Sequence, residues 1–145
     1  MSDVLSLSQI RLPGTARTKD DAIREAGQLL VDAGAVTPSY IDSMFDRERS
    51  VSTYMGNYLA IPHGTNESKE SINHSALSVI RYHDPIDWDG NQVLFALGIA
   101  GYQGGHMDIL SRIAIVFSDT DEVDKLLAAQ TAQELYDLLH AVNQE

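Results

Sequence analysis

Apolar side chains recur at helical spacing early in the chain, at Ala22, Ile23, Ala26, Leu29, Leu30 and Ala33, and predict a first amphipathic helix. Thr18 stands at its cap, acidic residues follow in the first turn, and Gly34 ends it. A second helix opens at Thr37-Pro38, presents Tyr40, Ile41, Met44 and Phe45, and finishes near Arg47-Glu48-Arg49. Residues 4–12 form a short extended segment that enters a sheet near Ile10-Arg11-Leu12. Apolar runs at 58–61, 76–82 and 93–100 read as strands. The last is apolar throughout and is expected at the centre of the sheet, covered on both faces. Between the last two, Asp84-Pro85 through Asp89-Gly90 reads as a turn region. His106 to Phe117 then reads as a helix with Met107, Leu110, Ile113, Ala114 and Phe117 inward. Asp119 with Glu122 caps a fourth helix carrying Val123, Leu126 and Leu127. Thr131 with Glu134 forms a capping box for a fifth, carrying Leu135, Leu138, Leu139 and Val142. Helices on both sides of a run of short strands make the class α/β.

No internal repeat, low-complexity tract or flexible linker interrupts the 145 residues, so one domain over 1–145 is expected, with a core that needs no staples. The absence of cysteine excludes disulfides, thiolate metal sites and cysteine nucleophiles. There is no signal-peptide pattern at the start and no apolar run near the roughly 20 residues that span a bilayer. A cytoplasmic protein without membrane insertion is the expectation. Net charge is 10 − 21 = −11, which argues against nucleic acid, whose phosphates call for clustered Lys and Arg. An acidic surface suits a basic protein partner, and equally suits solubility alone.

Charge names no chemistry, but Ile61-Pro62-His63-Gly64 points to some. The strand Tyr58-Leu59-Ala60-Ile61 stops at a proline, which cannot donate to a sheet ladder. His63 is thereby held on rigid backbone at a strand end, beside a glycine that leaves room for something bulky. Strand ends of open α/β sheets are where ligands dock, and histidine is suited to nucleophilic and proton chemistry near neutral pH. A lone histidine in such a place also fits simple packing. Of the other four histidines, His74, His83 and His140 read as loop or surface residues. His106 differs: it follows Gly101-Tyr102-Gln103-Gly104-Gly105 at or near a helix start, where free backbone N–H groups favour phosphate.

The block Phe45-Asp46-Arg47-Glu48-Arg49, Ser52-Thr53-Tyr54-Met55-Gly56-Asn57 and Leu59-Ala60-Ile61-Pro62-His63-Gly64-Thr65 resembles the enzyme IIA component of bacterial sugar phosphotransferase systems. Within that superfamily it is most similar to the mannitol type. Leu97-Gly98-Ile99-Ala100 followed by His106 falls where the family carries its second active-site histidine. The segment Tyr102-Gln103-Gly104-Gly105 departs from the polar or acidic residues that relatives usually carry there. The resemblance implies a single mixed sheet flanked by helices on both faces, and a phosphoryl carrier. His63 would accept the phosphoryl group from the phosphohistidine of HPr and pass it to the cysteine of an enzyme IIB during sugar uptake, with mannitol the expected sugar. Arg47 matches the family's active-site arginine, a permanent cation with forked donors. A surface salt bridge to Asp46 or Glu48 is its ordinary alternative. His106 would bond a phosphoryl oxygen or orient the His63 ring; Thr53 and Thr65 are lesser polar contacts, since local capping would also occupy their hydroxyls.

No metal or other cofactor is implied, because the donor is already an activated phosphohistidine. Association with a membrane enzyme IIC would come only through enzyme IIB, and a chain holding this domain alone suggests a free-standing component. A metal enzyme is the first rival, but no His-Glu-x-x-His or tight ligand cluster is present. Asp87-Trp88-Asp89-Gly90-Asn91 fails as a calcium loop, since its sixth and twelfth positions are Gln92 and Gly98. The second rival, a nitrogen-regulatory relative with the same phosphorylatable histidine, would act on partner proteins and not on transport.

Overall fold

The first helix, α1 (Lys19–Asp32), begins where the Thr18 hydroxyl accepts the Asp21 N–H at 3.2 Å, and the chain leaves it through Gly34 at φ +75°. The computed structural model describes residues 4–65, 70–102 and 105–143, except for the side chain of His106. Five strands form one mixed sheet among the described residues: β1 (Ile10–Arg11), β2 (Tyr54–Gly56), β3 (Leu59–Ala60), β4 (Ala76–Trp88) and β5 (Asn91–Ala100). Their order is β1-β4-β5-β3-β2, so the apolar run at 93–100 is central, as its composition predicts. β1 pairs parallel with β4 and β3 parallel with β5, whereas β4–β5 and β2–β3 are antiparallel.

Alternation along β4 and β5 divides the core in two. Leu77, Val79, Phe95, Leu97 and Ile99 face the helices α3 (His106–Phe117), α4 (Thr120–Ala128) and α5 (Ala132–Leu139). Ala76, Ile80, Tyr82, Ala96 and Ala100 face α1 and α2 (Ser39–Ser50). Gly98 lies under α1, where an added Cβ would come within 3.1 Å of the Ala26 carbonyl oxygen. Glycine is what lets the helix approach the strand that closely. No helix among the described residues is long and apolar enough to cross a membrane.

Four details differ from the sequence pattern, the first being a 3-10 turn over Leu7–Gln9 inside the segment expected to be extended. The expected turn at 84–90 is mostly strand: β4 continues to Trp88, with a register shift between Arg81 and Ile86 that takes in Pro85. A bulge tolerates a residue without an N–H, so proline does not end the strand there. Only Asp89 and Gly90 turn, both at positive φ, with Asp87 Oδ1 accepting the Gly90 N–H at 2.9 Å. Tyr58 is not in a strand but in the β2–β3 turn with Asn57, and β2, three residues long, is too short to show as a pattern. On α3 the buried stripe is Ile109, Ile113 and Phe117, while Met107 is 59% exposed and Ala114 is also exposed. Met107 lies two positions before Ile109 and so about 200° round the helix from it.

Candidate active site

Because β3 and β5 run parallel, their C-terminal ends share one edge of the sheet. The chain leaves β3 through the buried Ile61 and Pro62, and the Ile99 N–H donates to the Pro62 carbonyl at 3.1 Å. His63 follows in an isolated parallel bridge with Ile99 and is half-buried. Its ring is oriented from below: Nδ1 lies 2.7 Å from the Ile61 carbonyl oxygen. A carbonyl only accepts, so Nδ1 carries the proton in this bond and the neutral ring has its lone pair on Nε2.

The same segment is tied to α2. Buried Tyr40 donates its hydroxyl to the Ile99 carbonyl at 2.7 Å and accepts the Gly64 N–H at 2.9 Å. Burial pushes this phenol up to about 12, against the opposing pull of the Gly64 N–H, so it stays neutral and serves both bonds. One step along the same helix face, the Ser43 hydroxyl lies 3.1 Å from that of Thr65. Arg47 continues the face at i+7 from Tyr40. Its guanidinium donates to the Val51 carbonyl at 2.8 Å and makes no ion pair among the described residues, while Asp46 pairs with Arg49.

Thr53 is only 4% exposed and gives its hydroxyl to the buried Glu48 carboxylate. The hydroxyl is thus committed beneath the strand end, in the local bonding weighed as its alternative. His106 opens α3, six residues after β5 ends, so the topology brings it to the edge where His63 lies; its side chain is outside the described residues, as are Gln103 and Gly104 before it. Unlike α1, α4 and α5, α3 has no side-chain cap at its start. Tyr40, Ser43 and Glu48 were not singled out for the site from sequence. Tyr40 reads there as one more apolar position of a helix. The signal that finds it is the shared face of 40, 43 and 47.

A mixed α/β domain that presents an oriented histidine at the common end of two parallel strands has clear relatives. Residues 3–142 match the family described as phosphoenolpyruvate-dependent sugar phosphotransferase system, EIIA 2, and the chain belongs to that family. It is 51% identical over 141 residues to the mannitol-specific phosphotransferase enzyme IIA component of Halalkalibacterium halodurans, with 97% of each chain covered. The crystal structure of IIA mannitol from Escherichia coli matches with a TM-score of 0.86 at 30% identity, over 93% of this chain and 98% of that one. The same fold, again at TM-score 0.86, occurs in a complex of enzyme IIAMTL with phosphorylated enzyme IIBMTL from Escherichia coli, at 29% identity over 93% of this chain and 96% of that one. Nitrogen regulatory protein IIA-Ntr from Neisseria meningitidis matches at TM-score 0.77 and 27% identity, over 94% and 96%.

Proposed function

We propose that His63 carries the phosphoryl group of a mannitol phosphotransferase system in the cytoplasm, with residues 1–145 acting as one enzyme IIA domain. The observation that carries this is the bond from His63 Nδ1–H to the Ile61 carbonyl, which leaves Nε2 as the nucleophile. In the first step Nε2 attacks the phosphorus of phospho-HPr: the donor's P–N bond breaks, the P–Nε2 bond forms, and the donor imidazole leaves with the electron pair. The His63 ring becomes cationic as its second nitrogen is substituted, and the Ile61 carbonyl faces the N–H that shares this charge. Bond broken and bond formed are both P–N, so the step is close to balanced in energy. In the second step the thiolate of an enzyme IIB cysteine attacks the phosphorus: P–S forms, the P–Nε2 bond breaks with its electron pair left on Nε2, and the ring returns to its neutral state.

Phosphoryl transfer of this kind has a loose, in-line transition state in which the protein positions groups and balances charge. Arg47 supplies the cation for the equatorial oxygens, and Thr65, two residues after His63 with its hydroxyl against that of Ser43, a further polar contact. His106, the first residue of α3, is the further donor of this reading. Thr53 works from beneath, through Glu48, and not on the phosphoryl group.

Mannitol is favoured by the 51% identity to a mannitol-specific component, and an enzyme IIB partner by the IIAMTL–IIBMTL complex. A regulatory role of the nitrogen type rests on the 27% match. Incubation with enzyme I, HPr and labelled phosphoenolpyruvate tests the carrier role. Wild type takes up acid-labile label and His63→Ala takes up none; labelling that survives this substitution overturns the assignment. Onward transfer of the label to a mannitol enzyme IIB separates transport from regulation.

A further inference from the structure

Glu48 neighbours Arg47 in the sequence but is buried at 6% exposure. Its Oε2 accepts the Thr53 N–H at 2.9 Å and the Trp88 indole N–H at 3.2 Å, and its Oε1 accepts the Thr53 hydroxyl. The Lys19 ammonium lies 3.6 Å from Oε2. Removing a carboxylate from water is costly, so a buried one is retained where such donors surround it. They come from α1, from the end of β4 and from the corner at 51–53 that follows α2.

That corner leads to both reacting groups. The Thr53 carbonyl accepts the Ile61 N–H at 3.0 Å, and the Ile61 carbonyl holds His63 Nδ1 at 2.7 Å. Two residues before Thr53, the Val51 carbonyl receives the Arg47 guanidinium at 2.8 Å. One buried carboxylate therefore fixes a corner from which a two-bond path runs to the imidazole and a one-bond path to the cation. We propose that Glu48 is a positioning residue for phosphoryl transfer, setting the ring of His63 through Thr53 and Ile61 and the guanidinium of Arg47 through Val51. This rests on His63 being the phosphorylated residue.

The chemistry of the acceptor explains why a carboxylate stands here. Three hydrogen-bond donors converge on two oxygens with the Lys19 ammonium close by, and leucine of similar volume would leave the Thr53 N–H and the Trp88 N–H unpaired in the core. Glutamine keeps one oxygen for those two N–H groups and turns its amide toward the Thr53 hydroxyl, which can reverse to accept. Glu48→Gln is thus a conservative rescue and Glu48→Leu a break. Trp88 is the chain's single tryptophan, so its indole N–H resonance reports directly on the network.

The test phosphorylates the full chain with enzyme I, HPr and phosphoenolpyruvate, well below each variant's melting temperature. In parallel, ring-nitrogen NMR follows the His63 tautomer. Glu48→Leu is expected to lose its wild-type Trp88 signal, let the His63 ring leave the Nδ1–H form, and slow transfer roughly 10- to 100-fold at saturating phospho-HPr. The KM for phospho-HPr stays put, and Glu48→Gln recovers most of the rate. Should Glu48→Leu fail to fold, Thr53→Val carries the test: it removes only the hydroxyl bond and should move tautomer and rate in the same direction. A folded variant of either kind with an altered Trp88 signal but wild-type tautomer and rate overturns the role of Glu48. Labelling of His63→Ala would instead overturn the phosphorylation site, so the two failures are told apart.

Discussion

Glu25 and Glu48 are both less than a tenth exposed, both anchor the α1–α2 side of the sheet, and both collect donors from distant parts of the chain. Glu25 accepts from the N–H and hydroxyl of Thr15, the N–H of Ala16, the Tyr82 hydroxyl and the Arg11 guanidinium, all within 3.2 Å. Glu48 gathers Thr53, Trp88 and Lys19. By burial and bonding alone the two sites look interchangeable. They differ in where the next bond leads. From Glu25 the partners lead to the loop before α1 and the middle of β4, beside an open cleft lined by 13–17 and 82–86 that contains no proposed site residue. From Glu48 they lead to His63 and Arg47. A buried carboxylate becomes a functional residue through the groups its donors hold, and its own environment does not reveal which kind it is.

The sharpest way to break this contrast is to remove the reacting group itself. His63→Ala should abolish labelling, whereas Glu25→Gln should be labelled at the wild-type rate; slowed labelling of Glu25→Gln would erase the distinction. Next in size is Arg47→Ala, where loss of the cation should slow transfer roughly 100-fold, as removal of one transition-state donor does elsewhere. Its bond to the Val51 carbonyl contributes only about 1 kcal/mol to stability, so melting should scarcely change. Rapid-quench measurement of label transfer separates the two effects.

Titration sharpens the same contrast from the Glu25 side. Burial works against its ionisation, but the Thr15 N–H, the Arg11 guanidinium and the hydroxyls of Tyr82 and Thr15 outweigh that and hold the carboxyl at about 2 instead of 4.5. A carboxyl lowered on folding contributes stability that is whole above pH 4.5 and is lost as the pH falls toward 2. The contribution is on the order of 3 kcal/mol at neutral pH. Urea unfolding of wild type and Glu25→Gln should therefore show a gap at pH 6 that closes across this window. A gap that is constant with pH would mean that Glu25 is not held ionised by its donors. Labelling of Glu25→Gln, measured at pH 7, should stay at the wild-type rate throughout.

How much of this was legible beforehand depends on the range of the forces involved. Local signals read well: Thr18, Asp119 and Thr131 each cap a helix, although Asp119 accepts the Asp121 N–H and Glu122, its expected partner, pairs with Lys125. The central place of 93–100 follows from its unbroken apolar run. Ile61-Pro62-His63-Gly64 announces a strand end because proline and glycine act on their own backbone. What could not be read were bonds across the fold. Glu48 finds Trp88 forty residues away, Tyr40 finds Ile99 fifty-nine away, and nothing in either local sequence names the partner. Pro85 reads as a turn for the complementary reason: its place in a strand depends on a register shift that only strand pairing creates.

The smallest expected effect is also the most discriminating, because it compares two tyrosines that lose the same atom. Tyr82 gives its hydroxyl to Glu25 at 2.8 Å; Tyr40 gives its own to the Ile99 carbonyl and accepts the Gly64 N–H. Each ring is buried and burial holds each phenol above its ordinary value, so both are neutral donors at neutral pH. Phenylalanine at either position removes one oxygen and leaves the ring packing intact, costing about 1–2 kcal/mol for the groups left unpaired. Thermal melts of Tyr40→Phe and Tyr82→Phe should therefore fall by similar amounts. Their kinetics should not agree. Tyr40→Phe frees the Gly64 N–H beside the ring proposed to take the phosphoryl group and loosens the strand end on Ile99, so transfer should slow roughly three- to tenfold. Tyr82→Phe disturbs only the Glu25 cluster and should transfer at the wild-type rate. Equal rates in the two variants would mean that the Tyr40 bonds beside His63 only stabilise the fold.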